Sequence, residues 1–131
     1  MQRDSTGVVT AIYALWNNGE WGVEHFHPDV EWEMSSTAFD QSGRSRGRDA
    51  LMRYWRRFWG AWQPGARWEI EELDPLAEDQ VLAAGRLLVV GRSSGLPTDV
   101  AVFHLWTVEE ERVVRLLVFD DRESALSAVA T

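Results

Sequence analysis

The stretch Val81–Asp120, VLAAGRLLVVGRSSGLPTDVAVFHLWTVEEERVVRLLVFD, decides the fold. Three of its runs are rich in apolar and β-branched residues and predict β-strands, at residues 80–92, 98–108 and 113–119. Turn-forming residues at 93–97 and 109–111 separate them. Strands joined by such short links pair most simply as antiparallel neighbours, so the stretch predicts a meander. Together with the helical patterns before it, it predicts a curved antiparallel sheet closed by helices, an architecture that suits a pocket.

The rest of the chain switches between helical and strand periodicity. The predicted elements are a first helix capped by Asp4 or Ser5 and ended at Gly19, a short helix Glu20–Phe26 ended by Pro28, a strand 29–34, a loop Ser35–Gly47 at the pocket mouth, a long helix from Asp49 to the break at Pro64, a strand 67–73, and a final helix Glu123–Ala130. No internal repeat or linker interrupts this order, so we expect one domain, residues 1–131.

Composition narrows the classes of function. The 131 residues, 45% of them hydrophobic, can bury a substantial core. The absence of cysteine excludes disulfide and thiolate chemistry, and the absence of lysine excludes a lysine Schiff base. A net charge of −8 argues against nucleic acid and against an anionic membrane surface as partners. No apolar run reaches the length of a membrane span and the first residues lack a secretion signal, so we expect a cytoplasmic protein.

Local strings spread over the chain carry a family resemblance. They are Asn18-Gly19-Glu20, His27-Pro28-Asp29-Val30-Glu31-Trp32, Arg46-Gly47-Arg48-Asp49-Ala50-Leu51, Ser94-Gly95 and Asp121-Arg122-Glu123-Ser124-Ala125-Leu126. In order and spacing the chain resembles the nuclear transport factor 2-like superfamily and is most similar to its SnoaL-like bacterial members. The resemblance implies a cone-shaped α+β barrel, with a curved, mostly antiparallel sheet wrapped around the long helix and an apolar cavity between them. It also implies a homodimer packed through the outer face of the sheet.

The resemblance does not choose a reaction, because the superfamily includes ketosteroid isomerase, polyketide cyclases, scytalone dehydratase and limonene epoxide hydrolase. The carboxylates of ketosteroid isomerase correspond here to Met34 and Phe103, and its tyrosine falls near Ile12, one residue from Tyr13. Neither a thioether nor a phenyl ring can act as a base. That isomerase reaction is therefore not expected.

Asp120 is the candidate acid or base. The last-strand aspartate of the cyclases and the epoxide hydrolase corresponds to Val118, and Asp120, two residues on, would point to the same side of the strand. The competing interpretation is that Asp120 or Asp121 simply caps the final helix, since aspartate is a favoured N-cap.

His104 is the second candidate catalytic group, as a base or as the partner of Asp120. Alternation groups it with Val102 and Trp106, and the resemblance turns Phe103 inward. His104 would then lie on the outer face of the sheet, so the favoured interpretation is a surface or dimer-interface histidine.

Neither a metal nor a cofactor site is predicted. His25 and His27 flank Phe26, but a spacing of two does not place both rings on one helical face, and no third ligand is evident. Arg86 interrupts the most apolar strand and would need an anion if buried. A ligand carboxylate could serve, but a cross-strand pair with Glu69 or Glu71 is favoured.

The eight tryptophans indicate an aromatic core and an aromatic-lined cavity. The predicted ligand-binding residues are Tyr13, Trp16, Trp32, Met34, Tyr54, Trp55, Phe58, Trp59, Phe103 and Val118. Flat aromatic walls favour a planar, largely apolar molecule such as a polyketide, a terpenoid or an aromatic metabolite. Two functions remain open: non-catalytic binding of such a molecule, which we rank first, and a cofactor-free isomerase, cyclase, dehydratase or hydrolase using Asp120, with Tyr54 or His104 as its partner.

Overall fold

A computed structural model describes residues 4–34 and 43–129. In chain order the elements are α1 (Ser5–Asn17), a three-residue 3-10 turn (Val23–His25), β1 (Phe26–Met34), β2 (Gly43–Arg46), α2 (Arg48–Gly60), β3 (Arg67–Ala77), β4 (Gln80–Val90), β5 (Pro97–Glu109), β6 (Arg112–Phe119) and α3 (Arg122–Val129). The predicted first, long and final helices are present, as are the strands of the C-terminal meander.

The described strands form one six-stranded sheet in the order β2-β1-β6-β5-β4-β3. β3 to β6 make the predicted antiparallel meander, whereas β1 runs parallel to β6. A mixed, mostly antiparallel sheet with three helices is an α+β fold, as predicted. The sheet does not close on itself within the described residues, because β2 and β3 are its two edges.

The helices α1 and α2 place their apolar stripes on the inner face of this sheet. Asp4 caps α1 by accepting a hydrogen bond from the Gly7 amide at 2.7 Å, as the sequence predicted. The buried residues of the two helices follow helical spacing: Val8, Val9, Ile12, Tyr13 and Trp16 in α1, and Leu51, Tyr54, Trp55 and Phe58 in α2. They share one core with Trp68 of β3, Val102 and Trp106 of β5, and Val118 of β6.

Part of the outer face of the sheet is covered by a helix, and another part carries charged side chains. The short helix α3 packs on β5 and β6, where Leu105 and Leu117 are buried. Towards the β2 edge this face carries ion pairs instead, with Arg46 bound to Glu31 and Arg44 bound to Glu33. Exposed ion pairs of this kind contribute little to stability but keep the surface polar.

Gly85 lets two neighbouring strands approach closely. A β-carbon added to it would lie 2.2 Å from the carbonyl oxygen of Glu69 on β3. The same region of β3 contains a register shift between Ile70 and Glu72. Only glycine fits this bulged pairing without moving the backbone.

One predicted element was wrong, and the last part of a second was wrong. The short helix Glu20–Phe26 is only the 3-10 turn, and the strand that follows begins at Phe26 and includes Pro28. Pro28 is tolerated because it lies in the register shift between Phe26 and Glu31, where the β1–β6 pairing is interrupted. The predicted mouth loop lies outside the described residues for 35–42, and its remainder, Gly43–Arg46, pairs with β1 as a strand.

Candidate functional site

The aromatic side chains of the core enclose a small cavity between α2 and the inner face of the sheet. Its volume is about 40 Å³. Eight residues predicted to bind ligand lie on its wall: Trp16, Trp32, Met34, Tyr54, Trp55, Phe58, Trp59 and Val118. Glu33, Leu51, Trp68, His104 and Leu116 complete the wall. The predicted aromatic-lined site is therefore a single physical location, although the side chains fill most of it.

The predicted orientation of β5 was wrong, because the opposite set of its side chains faces the core. Val102, His104 and Trp106 point into the core, and Phe103 lies on the opposite face, so Phe103 is not part of the cavity wall. His104 is only 3% exposed and is neither a surface nor an outer-face residue. The error came from placing Phe103 inward by resemblance. The pattern of β5 itself groups His104 with the bulky Trp106, which was the available signal that this face is internal.

A chain of buried hydrogen bonds holds His104 in place. The Tyr13 hydroxyl lies 2.5 Å from Nδ1 of His104, and Nε1–H of Trp106 donates to the same hydroxyl oxygen at 3.0 Å. Because Trp106 already donates to that oxygen, the single phenol proton pairs best with Nδ1 of His104. This arrangement leaves the imidazole proton on Nε2. Tyr13 thus lies behind His104 and supports the cavity wall, rather than lining it as predicted.

Burial keeps all three titratable groups of this core neutral. It lowers the pKa of His104 from 6.5 to about 3, so the imidazole is uncharged at neutral pH. It also raises the pKa of Tyr13 and of Tyr54 above that of a free phenol, with the Trp106 hydrogen bond opposing the effect at Tyr13 and the nearby Arg57 charge opposing it at Tyr54. Both phenols therefore remain hydrogen-bond donors.

Four buried donors on the cavity wall lack a hydrogen-bond partner among the described residues. They are the Tyr54 hydroxyl and the indole Nε1–H groups of Trp32, Trp59 and Trp68. Buried polar groups are nearly always paired, so four exceptions around one cavity are notable. The side chain of Glu33 borders this region but points to the outer face of the sheet, where Arg44 binds its carboxylate at 3.2 Å, so that carboxylate does not face the cavity. The wall is thus apolar in area and donor-rich in its polar groups.

Asp120 does not lie on the described cavity wall. It directly follows the last residue of β6, at the start of the turn into α3. The neighbouring Asp121 takes the alternative role that the sequence allowed, since its Oδ1 accepts a hydrogen bond from the Ser124 amide at 2.7 Å and caps α3. Val118, two residues earlier, does line the cavity.

Arg86 is exposed, and its anion is a different residue from the predicted ones. Its Nε donates to Oδ1 of Asp99 on β5 at 2.5 Å, and this hydrogen bond is the largest influence that raises the pKa of Arg86. Glu69 lies opposite Arg86 on β3 but exerts only a weaker electrostatic effect. Because β4 lies between β3 and β5, either neighbour could supply the carboxylate, and the predicted pair involved β3 alone.

His25 and His27, on either side of the first residue of β1, have local partners. Nδ1 of His27 accepts a hydrogen bond from the Asp29 amide at 3.0 Å, and Nε2 of His25 lies 3.9 Å from Glu24. Across residues 4–34 and 43–129 no group of three or more His, Asp or Glu side chains is arranged to hold a metal ion. No described helix combines the length and apolarity needed to cross a bilayer.

Comparisons with solved structures identify the fold. The chain superimposes on an NTF2-like protein from Burkholderia thailandensis E264 with a TM-score of 0.78, 23% identity and 98% coverage of each chain. It superimposes on TerC co-crystallized with polyporic acid with a TM-score of 0.72 and 19% identity, covering 95% of this chain and 96% of that one. A candidate SnoaL-like polyketide cyclase from Jannaschia sp. CCS1 gives a TM-score of 0.74 and 15% identity, covering 98% of this chain and 94% of that one. At these identities the likeness shows the fold alone.

Comparison with curated proteins gave no significant match. The family model described as the SnoaL-like domain matches residues 9–116, which is most of the chain and includes β1, α2, β5 and nearly all of the cavity wall. The predicted resemblance is thereby confirmed, and the chain belongs to the SnoaL-like family with the NTF2-like fold.

Proposed function

We propose that this protein binds a small, planar, largely apolar molecule that carries carbonyl, enol or other acceptor oxygens, with its aromatic part in the cavity beside α2. The observation that carries the proposal is the set of four unpartnered donors, at Trp32, Tyr54, Trp59 and Trp68, around one aromatic-lined cavity. A ligand with acceptor oxygens would pair these groups and recover the free energy that each loses by burial without a partner.

The neutral state of the wall further narrows the ligand class. His104 and Tyr54 are uncharged at neutral pH, and the carboxylate of Glu33 is paired with Arg44 on the outer face of the sheet. Such a wall offers no free charge to a cation and few acceptors to an amine. It favours polyketide-like and quinone-like molecules over amines and sugars, because a sugar's many hydroxyl donors would be left unpaired.

The cavity is too small to hold the proposed ligand without a side-chain movement. The cavity of about 40 Å³ holds only a few water molecules, whereas small-molecule sites usually measure several hundred Å³, on the order of 300 to 1,000. A two-ring ligand therefore requires a wall side chain to move. Trp32 and Trp59 are only partly buried and their indole N–H groups are unpaired, so displacing either breaks no hydrogen bond within the described protein.

Three planar probes of similar size test the proposal by calorimetric titration. Naphthoquinone offers two acceptor oxygens, naphthalene none, and naphthylamine mainly donors. Because the chain has neither cysteine nor lysine, a quinone meets no thiol or lysine amine with which to form an adduct. We expect naphthoquinone to bind and the other two to bind at least about tenfold more weakly. Equal affinity for all three would refute the donor-based recognition, and no binding of any would refute the cavity site.

Cofactor-free catalysis is the second candidate, and the position of His104 is the observation that favours it. With a pKa near 3 its imidazole is a poor general base. As a neutral donor through Nε2–H, it could instead stabilise negative charge that develops on a substrate oxygen. Solved structures with this fold include proteins named as a candidate isomerase and as candidate polyketide cyclases. If Asp120 is the acid or base, Asp120→Asn abolishes turnover, and unchanged turnover removes Asp120 from the mechanism.

We also propose that the protein forms a homodimer through the outer face of the sheet. Near the β2 edge the ion pairs of Glu31 and Glu33 line this face, and α3 covers part of the remainder. An interface that includes such charges weakens as salt screens them. Sedimentation velocity at low and high salt tests this directly, and a monomer under both conditions would refute the dimer.

A further inference from the structure

A groove on the surface of the molecule abuts the cavity and is larger than it. The groove measures about 430 Å³ and lies between the C-terminal ends of α1 and α2 and the segment before β3. Its wall includes Trp21, Trp59 and Trp62, the cationic Arg92, the polar Asn18 and the anionic Glu20, whose carboxylate accepts a hydrogen bond from Asn18 at 2.9 Å. Its volume lies within the usual range for small-molecule sites, which that of the cavity does not.

The segment behind the groove is anchored to the sheet. The Gln63 amide donates to the Val90 carbonyl at 2.8 Å, and the Arg92 amide donates to the Ala61 carbonyl at 2.9 Å. Nε of Arg92 also donates to the carbonyl of Gly60 at the end of α2, at 2.9 Å. These bonds fix residues 60–63 against the end of β4, so the groove has a defined shape.

Two tryptophans separate the groove from the cavity, and only one of them is held by a hydrogen bond. Trp16 and Trp59 both line the two spaces. Nε1–H of Trp16 donates to the Trp21 carbonyl at 2.9 Å, whereas Nε1–H of Trp59 has no partner among the described residues. Trp59 is also only partly buried and lies one residue from the end of α2. Of the two tryptophans, Trp59 is therefore the one whose side chain can move at the lower free-energy cost.

We propose that the groove and the cavity form one elongated binding site divided by Trp59. Displacing its indole would join the two spaces and give the room that the cavity lacks. The site would take a planar molecule of about three fused rings, one end among the cavity donors and the other in the groove. There Nε1–H of Trp62, a further buried donor without a partner in the described chain, and the guanidinium of Arg92 would bind acceptor oxygens. This inference rests on the proposed function and specifies where the rest of the ligand lies.

The test uses anthraquinone sulfonate, a soluble three-ring probe with carbonyl oxygens and a terminal acceptor group. Asn18→Trp narrows the groove, since Asn18 is exposed and lines only the groove. Thr10→Trp, at an exposed position of α1 away from both spaces, is the matched control. Leu116→Phe narrows the cavity alone. Thermal unfolding of each variant verifies that it is folded, and Gln63→Trp replaces Asn18→Trp if the latter is not.

We expect both narrowing variants to bind the probe about tenfold more weakly than Thr10→Trp and wild type. Trp59→Ala should raise the association rate about tenfold, because the closed partition no longer limits access. If only Leu116→Phe binds the probe more weakly, and Trp59→Ala associates with it at the wild-type rate, this inference is overturned but the proposed function stands. Weakening by Asn18→Trp alone would overturn both by locating binding in the groove only, and equal binding by all variants would also overturn both.

Discussion

Tyr13 on α1 and His104 on β5 are joined by a 2.5 Å hydrogen bond within the core, although they are 91 residues apart in the chain. Trp106 completes the arrangement by donating to the same phenol oxygen at 3.0 Å. The contact therefore links the first helix to the central meander and fixes the imidazole that lines the cavity. Trp106 Nε1–H, the Tyr13 hydroxyl and Nδ1 of His104 thus satisfy one another, and removing one member of such a buried hydrogen-bond network is costly.

Tyr13→Phe should destabilise the protein by about 1 to 3 kcal/mol, because it leaves Nε1–H of Trp106 and Nδ1 of His104 buried without a partner. Tyr54→Phe is the matched control, since the Tyr54 hydroxyl is buried but unpaired in the described protein. It should leave the free energy of unfolding nearly unchanged. Urea denaturation of both variants measures the difference, and equal losses would contradict the assigned hydrogen bonds.

Stability should fall as the pH drops from 7 to 5. The folded protein holds His104 neutral with a pKa near 3, whereas the unfolded chain takes up the proton near pH 6.5. The unfolded state thus binds more protons than the folded state between pH 3 and 6.5. The free energy of unfolding therefore keeps its full value above pH 6.5 and decreases as the pH falls below it. At pH 5 the expected loss is about 2 kcal/mol.

Denaturation curves at several pH values between 5 and 7 test this, with His104→Asn as the variant and His27→Asn as the control. His104→Asn should flatten the pH dependence and His27→Asn should retain it. An unchanged slope in His104→Asn would show that other groups cause the effect.

Gly85→Ala should destabilise the protein by about 1 to 3 kcal/mol, because its β-carbon would lie 2.2 Å from the Glu69 carbonyl oxygen and force β3 and β4 apart. Gly60→Ala provides the comparison. A β-carbon at Gly60 meets no described atom within 4 Å, so this helical substitution should be neutral or slightly stabilising. Thermal unfolding of the pair distinguishes them, and a neutral Gly85→Ala would contradict the close strand pairing.

Asp121→Ala should cost about 1 kcal/mol by removing the cap of α3, whose Ser124 amide loses its acceptor. Glu123→Ala, an exposed change in the same turn, is the control and should cost less. The measurement is again the free energy of unfolding. A larger loss in the control would assign the effect to helix electrostatics rather than to the cap.

The meander could be predicted because β4 to β6 are apolar runs bounded by turn residues, and the family because its strings extend over the chain. The strand β2 could not be predicted from the sequence. Its sequence, Gly-Arg-Ser-Arg, has no apolar period, and what accompanies its pairing is the match of Arg44 and Arg46 with Glu33 and Glu31 across the strands. Such a match is visible only after the strands are aligned.

The candidate site was predictable in composition but not in geometry. The aromatic residues of α2 and β1 were assigned correctly to one wall, because helical spacing groups Tyr54, Trp55 and Phe58. The inward position of His104 depended on the face of a single strand, and a shift of one residue reverses every side chain of a strand. Cavity volume depends on how tightly bulky rings pack, and sequence patterns do not report packing.

The indole N–H resonances of the protein test the central claim most directly, because the proposed recognition acts through them. In a proton–nitrogen correlation spectrum the tryptophan indoles are resolved and can be assigned by Trp→Phe substitution. Titration with naphthoquinone should move the resonances of Trp32, Trp59 and Trp68 downfield as their protons gain acceptors, while Trp106, already bound to Tyr13, changes little. Naphthalene should not produce the downfield pattern. Unmoved resonances, or the same shifts with naphthalene, would contradict a cavity that recognises acceptor oxygens.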